Sequence, residues 1–143
     1  MTAVFIYFSA ILAELAFLIA FIIYTSLLIY SHLKGAPYVP TKTKEVDLIL
    51  KEAKLKEDAI FLELGCGDGR VVRRAVQKYH VKGVGIDINP LLLWIGNIMS
   101  KINKLNGHIY FKRENMLNTD YGRADVIYLF LLPELIKKIL PKL

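Results

Sequence analysis

The amino-acid sequence predicts an α/β domain with a doubly wound parallel sheet, preceded by one transmembrane helix. Three observations lead to this fold class. Apolar runs of strand length alternate with segments of helical periodicity, a glycine-rich turn joins the first run to the helix after it, and a long apolar segment occupies the N-terminus. Strands that alternate with helices in this way form parallel sheets with helices on both faces.

The N-terminal segment, residues 3–30, is predicted to be a membrane anchor. Its only formally charged side chain is Glu14, and the segment is longer than the roughly 20 residues with which an α-helix crosses a bilayer. A cleaved signal peptide is the competing interpretation. No Lys or Arg precedes the apolar run, however, and the run is too long for the apolar region of such a peptide.

The distribution of basic residues predicts the orientation of this anchor. All 19 Lys and Arg residues follow Tyr30, so the positive-inside rule places the C-terminal side in the cytoplasm, or in the matrix of a mitochondrion. The net charge of +6 suits a domain close to anionic lipid. It also suits nucleic acid, but the basic residues are scattered and no aromatic-basic motif accompanies them, so no nucleic-acid partner is predicted.

Small residues within the anchor fall on one helical face. Ser9, Ala13, Ala16 and Ala20 lie within about 60° of one another at 100° per residue. Such a stripe allows close contact between helices and self-association through the anchor, although alanine is also simply common in membrane helices.

The remaining chain divides into a linker and one domain. Residues 31–43 contain Gly35, Pro37 and Pro40 and are predicted to be a linker, and residues 44–143 form the domain. In the third of its helices, Leu92, Ile95, Met99 and Ile102 recur at helical spacing. The predicted helices occupy residues 44–55, 70–79, 91–105 and 133 to the terminus, and the predicted strands residues 59–64, 81–86, 109–112 and 124–132.

The fourth predicted strand is almost continuously apolar. A strand of this kind normally lies inside a sheet, yet only one helix follows it, and no further strand is available to pair with its far edge. We therefore expect that the chain is the first part of a longer protein, or that another molecule, such as a second copy, completes the sheet.

The glycine-rich turn carries the chemistry. It reads Glu63-Leu64-Gly65-Cys66-Gly67-Asp68-Gly69-Arg70, with glycines spaced two apart between a strand and a helix start. Such glycines let a ligand approach the backbone, and two carboxylates beside the turn favour a cationic ligand over a pyrophosphate. S-adenosylmethionine, which carries a sulfonium and an ammonium, has matching charge.

A second block, Gly85-Ile86-Asp87-Ile88-Asn89-Pro90, follows at the end of the second strand, and Pro37-Tyr38-Val39-Pro40-Thr41 precedes the domain. The three blocks together resemble the class I, seven-strand S-adenosylmethionine-dependent methyltransferases. They are most similar to the membrane-anchored protein-lysine methyltransferases, which include the enzymes that act on the c subunit of ATP synthase and on the adenine nucleotide translocase. The resemblance implies a Rossmann-like fold, here with its first four strands only. It also implies methylation of a lysine on a membrane or membrane-associated protein.

Roles for individual residues follow from this resemblance and from their chemistry. Glu63 and Asp68 are expected to meet the ammonium of the cofactor beside Gly65, Gly67 and Gly69, and Asp87 to accept hydrogen bonds from the ribose hydroxyls. The remaining candidates are, around the adenine, Ile88, Asn115 and Met116, and, for substrate access, Tyr38, Thr41, Phe130 and Pro133.

Several of these residues also have alternative roles. Asn115 stands where the family usually has an aspartate, and an amide oxygen can accept the same bond; Met116 and Ile88 equally suit core packing. No catalytic base is assigned, because a desolvated lysine beside a sulfonium needs none. A small-molecule or lipid methyltransferase, or a truncated cofactor-binding membrane module without activity, also fits these motifs.

Other catalytic classes have no support in the sequence. Cys66 is the only cysteine, so no internal disulfide can form, and the three histidines are dispersed, so no metal site is predicted. A Gly-x-Ser-x-Gly hydrolase motif is absent.

Overall fold

The computed structural model describes residues 2–34 and 41–143, apart from the side chains of residues 3 and 30–34. Helix α1 spans Thr2–Lys34, so it continues into the predicted linker. Its segment Val4–Ile29 is long and apolar enough to cross a membrane, and none of it is buried in the rest of the protein. Length and composition of this kind are shared by membrane anchors and N-terminal signal sequences.

The domain contains four strands and four α-helices in the predicted alternation. A 3₁₀ turn at Met116–Asn118 separates the last two strands, and another at Leu140–Lys142 follows the last helix. The elements are α2 (Thr43–Glu52), β1 (Ile60–Leu64), α3 (Arg70–Tyr79), β2 (Lys82–Asp87), α4 (Pro90–Ile102), β3 (Ile109–Arg113), β4 (Val126–Leu129) and α5 (Pro133–Ile139).

All strand pairs are parallel, and the strand order is β3-β2-β1-β4. The chain therefore proceeds outward from β1 to β3 and then crosses to the other side of β1. This reversal places a crevice at the carboxyl ends of β1 and β4, where open α/β sheets bind their ligands. The predicted fold class is confirmed.

Strand β4 is shorter than predicted. It pairs with β1 only as far as Leu64 opposite Leu129, because β1 ends there. Beyond that point the backbone leaves the sheet and Phe130 is 67% exposed. Within the described residues β4 is an edge strand whose side chains are all half-buried, and pairing of its far edge with a further strand or another molecule stays a prediction.

Helix α4 buries a different face from the one that the apolar spacing marks. Its buried residues are Leu92, Leu93, Gly96 and Ser100. Of the four apolar positions singled out at helical steps, only Leu92 belongs to this face, and Ile102 is 66% exposed. The helix is apolar on both sides, so its periodicity alone does not identify the packed one.

The ring of Phe111 on β3 fills the space between the glycine-rich loop and α4. A Cβ on Gly69 would lie 2.3 Å from Phe111 Cε1, one on Gly85 would lie 2.8 Å from Phe111 Cδ1, and one on Gly96 would lie 3.1 Å from Phe111 Cζ. Three residues without side chains thus accommodate one aromatic ring. This packing holds the loop against α4.

Candidate cofactor and substrate site

The glycine-rich loop connects β1 to α3 in a left-handed backbone conformation. Gly65, Gly67 and Gly69 have φ values of 71°, 55° and 69°, which side chains rarely allow. The N–H groups of Gly65 and Cys66 donate to the carbonyl of Ile86 at 2.8 and 3.0 Å. These bonds fix the loop to the end of β2.

Asp87 ends β2 and joins the loop to the start of α4. One carboxylate oxygen accepts from the N–H of Gly67 at 2.7 Å, and the other accepts from the N–H of Asn89 at 2.8 Å. Burial raises the pKa of Asp87, while these backbone hydrogen bonds oppose the rise. Asn89 in turn caps α4 through its side-chain oxygen, which accepts from Leu91 and Leu92.

Glu63 lies deeper than the loop. It is 4% exposed, and its Oε2 accepts from the N–H of Val72 at 2.9 Å in the first turn of α3. Burial, with smaller contributions from the charges of Asp68 and Asp87, raises the pKa of Glu63 to about 8. Its observed partner is therefore a helix N-terminus, and contact with a cofactor ammonium stays a prediction.

Asp68 lies in the loop but is held by arginines. Its carboxylate accepts from Nε and Nη2 of Arg70 at 3.1 and 3.0 Å, and Nη2 of Arg73 lies 4.0 Å away. Arg70 also donates through Nη1 to the carbonyl of Thr41 at 3.3 Å. The predicted ammonium ligand is thus part of a bridge between the loop and Thr41, two residues before α2, and its role toward the cofactor stays a prediction.

The predicted adenine residues follow β2 and β3 and differ in their burial. Asn115 is exposed and its Oδ1 accepts from the N–H of Leu117 at 3.0 Å, so it caps the 3₁₀ turn. Met116 is buried among apolar residues under the sheet, and its Cε would lie 3.5 Å from a Cβ on Gly65. Ile88 is half-buried. Met116 therefore packs in the core and also borders the loop.

Two of the predicted substrate residues line one cleft. Thr41 and Phe130 both line a space of about 500 Å³ between α2 and β4. Pro133 begins α5 and is exposed outside this lining, and Tyr38 lies outside the described residues. The other lining residues are Lys42, Glu45, Leu48, Ile49 and Tyr128.

Two residues to which the sequence assigned no role connect this cleft to the loop. Arg70 bonds both Asp68 and Thr41, and Leu131 Cδ2 would lie 3.1 Å from a Cβ on Gly65. Arg70 belongs to the glycine motif and Leu131 follows Phe130, so both were adjacent to predicted residues. Thr41 is remote in sequence from Arg70, and Gly65 is remote from Leu131, so only the fold reveals these two contacts.

Comparisons with known proteins agree with this geometry. A family profile described as ANTKMT methyltransferase domain matches residues 63–143. A protein-lysine N-methyltransferase of Saccharolobus islandicus is 34% identical over 114 residues, which are 79% of this chain and 71% of that protein. The chain belongs to this methyltransferase family.

Two further relatives extend the comparison. The Xenopus laevis lysine N-methyltransferase that is named for the C subunit of ATP synthase is 28% identical over 75% of this chain and 46% of its own length. The crystal structure of an RNA methyltransferase from Salinibacter ruber in complex with S-adenosyl-L-homocysteine is 34% identical. It superimposes with a TM-score of 0.70 over 72% of this chain and 67% of that one. S-adenosylmethionine is therefore the cofactor of this methyltransferase domain, as predicted.

The residues around the glycine-rich loop fit S-adenosylmethionine. Three left-handed glycines leave a cradle without side chains at the crevice, and Leu131 and Met116 stand where a Cβ on Gly65 would intrude. The Nδ2 of Asn89, next to Asp87, is buried without a hydrogen-bond acceptor among the described residues, so it is a spare donor at this edge. Among the described residues no cluster of His, Cys, Asp or Glu suits a metal ion.

Proposed function

We propose that the chain transfers the methyl group of S-adenosylmethionine to a lysine side chain of a membrane or membrane-associated protein. Support for the lysine comes from the relatives in Saccharolobus islandicus and Xenopus laevis, whose names specify protein lysines. Support for the membrane comes from the span-like segment Val4–Ile29.

The observation that carries this proposal is the position of the apolar cleft. Thr41 and Phe130 line it, and Leu131 continues from Phe130 to the glycine-rich loop. We propose that an extended side chain entering between α2 and β4 reaches the crevice where the cofactor binds. A lysine, with its long alkyl stem and terminal amine, matches a cleft whose lining is largely apolar.

The residues of the cleft also suit the chemistry. When bound, S-adenosylmethionine supplies an electrophilic methyl group. The lysine amine must be uncharged to use its lone pair. Leu48, Tyr128 and Phe130 add no charge to the cleft, and the positive sulfonium beside the amine disfavours the charged form of the amine. The new N–C bond forms as the S–C bond breaks, and the amine releases one proton to solvent; S-adenosylhomocysteine is the other product. Alignment of donor and acceptor is the main contribution of the protein.

We also propose that α1 is a single-pass anchor and that the domain lies on the cytoplasmic side, or the matrix side of a mitochondrion. The absence of Lys and Arg before Lys34 supports this orientation. Self-association, through the stripe of small residues in α1 or through the free edge of β4, is part of the same proposal. Protease protection of the domain in sealed vesicles of known orientation tests the sidedness.

The activity is tested with the full chain in lipid vesicles, a membrane fraction and methyl-labelled S-adenosylmethionine. We expect mass increments of about 14 Da on lysines of a membrane protein. A matched reaction uses the Asp87→Asn variant, which should bind the cofactor weakly and transfer little label. Cofactor binding by the wild type without transfer to any membrane fraction would instead support a non-catalytic cofactor-binding module.

A second acceptor class, RNA, is favoured by the relative from Salinibacter ruber and by the net charge of +6. The same labelling experiment separates the two. Label that is released by ribonuclease but not by protease would identify RNA as the acceptor. This result would contradict the lysine proposal.

A further inference from the structure

The outward face of α4 is apolar although it does not pack against the domain. The buried face consists of Leu92, Leu93, Gly96 and Ser100. At about 100° per residue, the other apolar side chains of the helix cover an arc of about 140° that points away from this face. They are Leu91, Trp94, Ile95, Ile98, Met99 and Ile102.

These side chains contact water to a large extent. Trp94 is 61% exposed, Ile102 is 66% exposed and Met99 is 39% exposed, while the other three are half-buried. An outer helix of a water-soluble domain normally presents polar residues on this side. A contiguous exposed apolar face with a tryptophan marks a surface that binds something.

The surroundings of the face suit lipid. Lys101 and Lys104 are exposed at the C-terminal end of α4, where they can meet anionic headgroups while the apolar face enters the layer beneath. Tryptophan is the side chain that most favours the boundary between headgroups and acyl chains.

The chain also keeps the domain near a bilayer. Helix α1 ends at Lys34 and α2 begins at Thr43. Nine steps of at most about 3.6 Å span roughly 32 Å, which is comparable to the diameter of a domain of this size. A domain on so short a tether cannot move far from the membrane that holds α1.

We propose that the outer face of α4 lies in the interfacial layer of the bilayer that contains α1. This inference rests on the proposed anchor. Because α4 begins at Pro90, three residues after Asp87, this contact fixes the height of the cofactor crevice above the membrane. The site is then oriented toward acceptor side chains that emerge near the headgroups.

Trp94 is the only tryptophan of the chain and therefore a built-in probe. The full chain is inserted into anionic vesicles with or without brominated acyl chains near the interface. We expect the emission of Trp94 to shift to shorter wavelength and to fall at least about twofold with brominated lipid.

Two variants make the test specific. Ile102→Glu places a charge on the outer face and should reduce the quenching severalfold. Tyr110→Glu is the matched control: Tyr110 is 64% exposed on β3, and it alternates with Phe111, which packs against α4, so it points to the opposite face of the sheet. This variant should retain the quenching, and circular dichroism of both confirms that they are folded.

Flotation of the vesicles separates this inference from the proposal on which it rests. A chain that floats while Trp94 is insensitive to brominated lipid would overturn the α4 contact alone. Trp94 shielded from aqueous acrylamide but not quenched by lipid would also overturn it, because a protein would then cover the face. Failure to float would overturn the anchor and this contact together, and lysine methylation is measured independently of both.

Discussion

At the scale of single residues, the carboxylate of Asp87 is the group on which the proposed cofactor site depends most. It connects the glycine-rich loop to α4 through two backbone N–H groups and ends β2 at the crevice. In the Asp87→Asn variant an amide NH₂ replaces one carboxylate oxygen. This NH₂ faces a backbone N–H donor without an acceptor between them, and the ribose hydroxyls lose one acceptor.

We predict that Asp87→Asn weakens S-adenosylmethionine binding at least about tenfold, or about 1.4 kcal/mol, in calorimetry. The matched control is Asp125→Asn. Asp125 accepts from the N–H of Ile60 at 2.7 Å, but at the amino end of β1, away from the crevice at the carboxyl ends of the strands. Equal losses of affinity in the two variants would show that Asp87 acts only through stability.

The raised pKa of Glu63 leads us to predict a specific dependence of stability on pH. Its pKa is raised by burial from 4.5 to about 8. Between these values the folded chain keeps a proton that the unfolded chain has lost, so the free energy of unfolding decreases as pH rises, by up to about 1.4 kcal/mol per pH unit.

The Glu63→Gln variant should lose this slope in urea unfolding followed by circular dichroism. Glu114→Gln is a control in which the pH dependence has the opposite sign. The Lys112 ammonium lowers the pKa of Glu114, so the contribution of Glu114 to the free energy of unfolding is lost only as pH falls. An unchanged slope in Glu63→Gln would contradict the assignment of this proton to Glu63.

At the scale of secondary-structure elements, the contact of Phe111 with three glycines joins β3, the loop and α4. We predict that Gly69→Ala destabilises the domain by about 1–3 kcal/mol more than Gly107→Ala. Both glycines have positive φ, but a Cβ on Gly107 meets nothing within 4 Å, whereas one on Gly69 meets the ring.

Thermal unfolding of the two variants measures this difference. Combination with Phe111→Leu should recover part of the loss in Gly69→Ala and none in Gly107→Ala, because only the former involves the ring. Equal destabilisation by Gly69→Ala and Gly107→Ala would show that the whole effect arises from backbone strain and not from contact with the ring.

Two arginines of α3 form different contacts: Arg74 bonds a residue of α2, and Arg70 bonds a residue that precedes α2. Arg70 bonds Thr41 and Asp68, whereas Arg74 bonds Asp47 at 2.7 and 2.9 Å, away from the loop. A lysine cannot reproduce the forked hydrogen bonds of either arginine.

We predict that Arg70→Lys raises KM for the protein acceptor roughly tenfold, while Arg74→Lys changes it little. The physical reason is that Arg70 positions Thr41 at the mouth of the cleft. Steady-state kinetics with the cofactor at saturation provide the measurement, and a loss confined to kcat in Arg70→Lys would disagree with a positioning role.

At the scale of the whole molecule, the arrangement of anchor and domain determines which acceptors are accessible. The stripe in α1 predicts that simultaneous replacement of Ala13, Ala16 and Ala20 by leucine reduces cross-linking of the chain in membranes. Replacement of Leu12 and Leu15 by isoleucine and of Ile19 by leucine keeps the volume of residues outside the stripe; it is the control and should leave cross-linking unchanged. Cross-linking that resists both sets of changes would favour the edge of β4 as the contact.

The sequence by itself determined the features that depend on local pattern. The alternation of strands and helices, the parallel sheet, the left-handed turn at Gly65 to Gly69 and the position of Asp87 all follow from residue type and spacing, and the first two are confirmed directly. Glycine conformation and hydrophobic periodicity act within a few residues, so they can be read without knowledge of the fold.

Only the tertiary structure decided the contacts between remote segments. It placed the carboxylate of Glu63 against the first turn of α3, linked the Asp68–Arg70 pair to Thr41 and brought Thr41 and Phe130 into one cleft, and it left the outer face of α4 exposed. The reason is physical: a charged or apolar side chain has several possible partners along the chain. Packing of the sheet and helices selects among them by distance, burial and charge.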